Sequence, residues 1–191
     1  MAGTGGGASA AATAVRVTGG AVSAALAVTG ALHAVWAVTP WPLRTPEEFA
    51  DAVVGTGDGV PPAGACLAVA GLLGAASYLV AAEAGVLPAG GSQGSRRAGA
   101  SPAGVRAVAG VRRDEARRTG VRRAGARRAG VRAVAGVLLA RGVAGPVLFG
   151  RVSARTERFR RLNVRYYSPL CVVLGAGAAA VGWRGSSATN C

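Results

Sequence analysis

Four stretches of this chain run for the thickness of a bilayer with almost no charge, and nearly all of the charge lies between them. Val17 to Val38 is 22 residues without a formal charge and Ala63 to Ala82 is 20. Ala133 to Gly150 is 18 residues that hold only Arg141, and Tyr166 to Trp183 is the last 18. At about 1.5 Å per helical residue each reaches roughly 27–33 Å, enough to cross a hydrocarbon core. Water is absent there, so backbone amides must bond within their own segment, and an unbroken apolar block does this as a helix. The expected fold is therefore all-α, an integral membrane four-helix bundle with spans at about 17–38, 63–87, 133–150 and 166–183.

The charge between the blocks is one-sided. All 22 basic residues are arginine, and the net charge is +14. Arginine-rich loops of a membrane protein reach such a value without nucleic acid, so nucleic acid is not an expected partner. Arginine without lysine, together with abundant Ala, Gly and Val, reads as the coding bias of a GC-rich bacterial genome.

Eleven of the arginines fall between Gly90 and Gly130, inside a loop expected over 88–132. Gly104 to Val111 recurs identically as Gly130 to Val137, and the ten residues from Gly110 recur in altered form from Gly120. Repeats this short look like slippage, and they lack the apolar face that a solenoid stacks. Each glycine costs a helix about 1 kcal/mol against alanine, so a disordered, low-complexity loop is expected, with anionic lipid headgroups as its partner. Residues 1–16 read as a disordered tail and 184–191 as a short polar one.

The acidic residues gather in the first connection. Thr45-Pro46-Glu47-Glu48 carries an N-cap, a first-position proline and first-turn acids, which predicts a short surface helix through Val54. Small residues four apart, at Gly30 and Ala34, Gly71 and Ala75, Gly136 and Ala140, and Gly175 and Ala179, allow close helix approach. They make a tight bundle feasible, and a membrane-protein partner or a second copy of the chain is the expected protein partner. Arginine counts favour the side of both termini, which places the termini in the cytoplasm of a bacterial cell membrane.

Few residues offer chemistry. An arginine within a span costs at least about 2.5 kcal/mol on insertion scales, so Arg141 needs a partner. Glu83, His33 and the tyrosine hydroxyls are the candidates, and His33, Glu83 and Arg141 form a candidate polar site. A structural Glu83–Arg141 pair, or Arg141 bonding the carbonyls of a broken helix, is the leading reading, and His33 reads as an interhelical hydrogen-bond donor. After Arg141, Gly142, Gly145 and Pro146 predict a kinked or broken helix. Arg165, Tyr166, Tyr167, Ser168 and Pro169 read as an interfacial motif, with arginines for headgroups, tyrosines for the belt, and Ser-Pro for a helix start. Ser168 has no general base at readable spacing. Cys66, Cys171 and Cys191 are odd in number and two lie in apolar blocks, which argues against a disulfide framework. Neither a metal site nor a cofactor motif is legible, and no catalytic residue is assigned.

His33 and Trp36, the pair Arg141-Gly142, and above all Arg165-Tyr166-Tyr167-Ser168-Pro169-Leu170-Cys171 resemble the bacterial family called domain of unknown function 3995. The resemblance spans roughly residues 20–87 and 131–183 and implies a small four-span membrane protein with no established activity. The chain departs from that pattern in its Arg-rich insertion. It departs again at Val143-Ala144-Gly145-Pro146, where more polar residues are expected. The function expected is that of a structural or partner-binding bundle without catalysis. The alternative is a small-molecule carrier or membrane enzyme using a polar pocket around His33 and Arg141.

Overall fold

The computed structural model describes residues 5–56, 60–87, 105–148 and 155–184. Among these the chain is helical with no strand, and four helices are long and apolar enough to cross a membrane. Helix α1 spans Gly5–Trp36, and α2 (Pro46–Phe49) runs directly into a π-helical turn at Ala50–Val54. Helix α3 spans Ala63–Glu83 and α4 Val105–Val147; α5 (Glu157–Leu162) passes through a second π-helical turn, Asn163–Tyr167, into α6 (Ser168–Arg184).

The helices pack as two antiparallel pairs, α1 with α3 and α4 with α6. Val22 and Leu26 from α1, Val80 from α3, Val131 and Ala135 from α4, and Ala178 and Val181 from α6 join the pairs in one core. A two-way clasp ties α1 to α3: the Ser23 hydroxyl donates to the Ser77 carbonyl at 3.1 Å, and the Ser77 hydroxyl donates to the Ser23 carbonyl at 2.9 Å. Along the spans outside this core many large residues are bare. Leu72, Val137, Val143 and Val173 are each at least 67% exposed, an apolar surface that suits lipid rather than water.

Of the four small-residue pairs, two work inside the bundle. A Cβ on Gly30 would come within 3.2 Å of the Ala70 carbonyl, and one on Gly175 within 2.8 Å of Leu139. Gly71 and Gly136 have open space instead.

Several boundaries correct the sequence reading. The tail expected over 1–16 is helical from Gly5, because an alanine-rich segment adjoining a formed helix propagates it without paying for nucleation again. The same reason applies to the Arg-rich stretch. Residues 105–132, expected as disordered loop, continue α4 as one helix of 43 residues, since Arg and Ala are among the best helix formers. About 40 Å of that helix extends beyond the span. The remaining loop residues 88–104, residues 1–4 and the tail from 185 with Cys191 lie outside the described residues. Helix α3 stops at Glu83 rather than near Pro88. Gly85, at φ 68°, turns the chain left-handed, and the Val86 amide donates back to the Ala81 carbonyl at 2.9 Å, which closes the end.

The short helix through Val54 starts as expected, with the Thr45 hydroxyl accepting from the Glu48 amide at 3.2 Å. It is not merely superficial. Phe49 is buried edge-on to Trp36, and the segment behind it docks on the start of α5. The Thr156 hydroxyl donates to the Asp51 carbonyl at 2.7 Å, the Thr156 amide to the Gly55 carbonyl at 3.0 Å, and Arg155 Nη1 to the Val54 carbonyl at 2.8 Å. Gly55, at φ 76°, also has no room for a side chain, because a Cβ would lie 2.6 Å from the Phe159 ring. The first and last connections therefore form one cap at the end of the bundle opposite Glu83 and Arg184.

Candidate polar site at the crossing of α4 and α6

Pro169 shapes the element that carries this site. It has no amide hydrogen, and its ring would strike the carbonyl four residues earlier, at Arg165. The helix widens instead: the Ser168 amide donates to the Asn163 carbonyl, five residues back, and Asn163–Tyr167 is a π-helical turn. The Ser-Pro pair therefore opens α6 within a helical run that continues from the widened turn.

The turn carries Asn163 inward, where it is 1% exposed. There it meets the charge in the third span. Arg141 Nη2 donates to Asn163 Oδ1 at 3.1 Å, and the buried Ser168 hydroxyl reaches the same oxygen at 3.4 Å. One asparagine carbonyl thus joins α4, the turn and α6. A charge-assisted bond of this kind is among the stronger single polar contacts.

Two glycines make the crossing possible. A Cβ on Gly142 would lie 2.9 Å from both the Ser168 carbonyl and the Val172 amide, and one on Gly145 would overlap Arg141 Nη1. Glycine here serves close approach, not a hinge. Helix α4 passes through both glycines unbroken and ends at Val147, one residue beyond Pro146 and three short of the expected end of the span.

The Glu83–Arg141 pair is also corrected. Glu83 accepts from Arg128 Nε at 3.1 Å and lies 3.7 Å from Arg127 Nε, whereas Arg141 lies 13 residues beyond Arg128, about 20 Å along α4. The long helical continuation of α4 supplied nearer arginines. At the same end Arg132 Nε donates to the Gly182 carbonyl at 3.3 Å, beside the Trp183 ring.

Among the described residues His33 makes no hydrogen bond to another helix. Its Nδ1 bonds the Thr29 carbonyl of its own helix at 2.9 Å, and its ring lies 4.8 Å from that of Trp36. It lines a mostly apolar hollow of about 220 Å³ under the cap, with Trp36, Phe49, Pro61 and Cys66. Arg141 does not line that hollow, so the candidate trio His33, Glu83 and Arg141 divides among three places.

Of the interfacial motif, Tyr166 is exposed with the Arg165 guanidinium 5.8 Å from its ring centre. Tyr167 turns the other way, its hydroxyl donating to the Ala52 carbonyl of the cap at 3.3 Å. Asn163 and the Ser23–Ser77 clasp escaped the sequence reading. The one available signal for Asn163 was a lone amide among arginines, five residues before Ser168. Among the described residues no three metal-ligating side chains gather.

No curated protein and no solved structure matches the chain. A model of the family described as "Protein of unknown function (DUF3995)" matches residues 26–121, just over half of the 191 residues. The match takes in His33, Trp36 and the cap segment, and stops before Arg141 and the Arg165–Cys171 motif. A multi-pass helical membrane protein carrying this match belongs to the family of unknown function DUF3995.

Proposed function

We propose that the protein is a structural, partner-binding helical bundle of the bacterial membrane that performs no chemistry of its own, with both termini in the cytoplasm. The observation that carries the reading is how the candidate polar residues are used. Arg141 bonds Asn163, Glu83 bonds Arg128, and His33 bonds its own helix. The first two tie helices together, the third stays within α1, and none converges with another on a common cavity. The outward faces fit a partner that is itself a membrane helix: Gly71 with Ala75 on α3, and Gly136 with Ala140 on α4, are exposed. The orientation rests on the basic helix of α4, which lies at the end of the bundle where α1 begins and α6 ends.

The test is photo-crosslinking of the full chain in its native membrane from Leu72 and Val137, which flank those faces, before and after Gly71→Leu and Gly136→Leu. The reading expects a discrete adduct, to another membrane protein or to a second copy, that the leucine variants lose while α-helical content stays constant. A wild-type chain that forms no adduct from either position contradicts it.

A further inference from the structure

The outer face of the α5 turn presents a second arrangement, which the contacts of the bundle do not use. A cleft of about 460 Å³ is lined by Arg160, Arg161 and Arg165 together with Glu157, Asn163 and Pro146. That volume falls within the range of small-molecule sites, so it can admit a headgroup and not only a simple ion. Three arginines face one acid. Glu157 lies 3.5 Å from Arg160 Nη1 and 2.9 Å from Arg161 Nε, which leaves the cleft a net positive charge, and Arg165 has no carboxylate partner among the described residues.

Asn163 supplies the second observation. Its Oδ1 is taken by Arg141 and Ser168, yet its side-chain NH₂ meets no acceptor among the described residues, although the residue is 1% exposed and borders the cleft. That NH₂ is not wholly cut off from solvent, and an oxygen of an anion in the cleft can accept from it. The three guanidinium groups and this amide together suit an acceptor-rich anion. Arginine forks match phosphate and carboxylate oxygens equally in geometry; several arginines around one site favour phosphate, with its greater number of acceptor oxygens.

The position points to the source. The cleft lies where α4 ends and the apolar surface begins, next to the exposed Val164 and with Leu148 and Leu170 half exposed nearby. We infer that this cleft binds the phosphate of an anionic phospholipid headgroup, held by Arg160, Arg161 and Arg165 together with the Asn163 amide. Free inorganic phosphate shares the chemistry but would make no use of the neighbouring apolar surface. The site is separate from the basic continuation of α4 at the opposite end, and it does not depend on the partner-binding reading.

Native mass spectrometry of the full chain in detergent, titrated with phosphatidylglycerol or with phosphatidylcholine, tests the assignment. Wild type is expected to retain one phosphatidylglycerol at least about tenfold more strongly than phosphatidylcholine, and Arg160→Gln with Arg165→Gln to lose about tenfold in that affinity. Arg122→Gln with Arg123→Gln removes the same charge from exposed positions at the far end and is expected to leave it unchanged. Equal retention of the two lipids by wild type overturns the inference, as does equal loss in both double variants. Displacement of the bound lipid by millimolar inorganic phosphate assigns the cleft to free phosphate and overturns the lipid source.

Discussion

Arg141 Nη2 and Asn163 Oδ1 lie 3.1 Å apart, so the only charge inside the apolar length of α4 is bound to the turn that leads into the next span. The bond closes the α4–α6 pair from the capped end, while Arg132 and Gly182 close it from the other. Both contacts cross the same two helices, which fixes their relative rotation at two heights.

The glycines beneath that bond are predicted to be unequal. Gly142→Ala sets a methyl against the backbone of α6 and is expected to cost about 1–3 kcal/mol. Gly145→Ala pushes chiefly on the far end of the flexible Arg141 side chain and should cost less than Gly142→Ala. Gly136→Ala meets open space in the same helix and is expected to change stability by no more than about 1 kcal/mol, in the stabilising direction. Thermal unfolding in detergent, followed by circular dichroism, checks the order.

Labelling will report the shared cap. Cysteines introduced by Glu48→Cys and Arg161→Cys are expected to react with an impermeant thiol reagent from one side of the membrane, and one introduced by Gly120→Cys from the other. Labelling of the first two from opposite faces would break the four-span order.

Glu83 holds the start of the basic helix to the bundle through Arg127 and Arg128. Its carboxylate is largely covered while the arginine partners are more than a third exposed, so a modest stability effect of about 0.5–1 kcal/mol is expected for Glu83→Gln. The larger readout is local. Hydrogen exchange over residues 119–130 should accelerate in the variant, with exchange in α6 unchanged.

The spans were legible because hydrocarbon admits few backbone solutions, and a charge-free run of sufficient length has one. The short helix at Pro46 was legible for a similarly local reason, since Thr45 accepts from the Glu48 amide and the Glu48 carboxylate accepts in return from the Arg44 amide just before the helix. The partners of Arg141 and Glu83 were not, because pairing depends on how far α4 continues beyond the bilayer. Its glycines argued for a loop, and propagation from a formed span overrode them. Asn163 was hidden for another reason: in a regular helix Asn163 and Ser168 do not share a face, and only the π turn forced by Pro169 brings them to one oxygen. Gly142 and Gly145 read as helix-weakening residues, and their role in close contact depends on the position of α6, which the local sequence does not carry.

The central claim is that Arg141 is a structural residue fastened to Asn163. A double-mutant cycle on unfolding stability, with Arg141→Met, Asn163→Leu and the double variant in the same detergent, measures that bond most directly. The account predicts a favourable coupling of about 1 kcal/mol or more, with each single variant destabilised. Effects that add to within about 0.3 kcal/mol would contradict it.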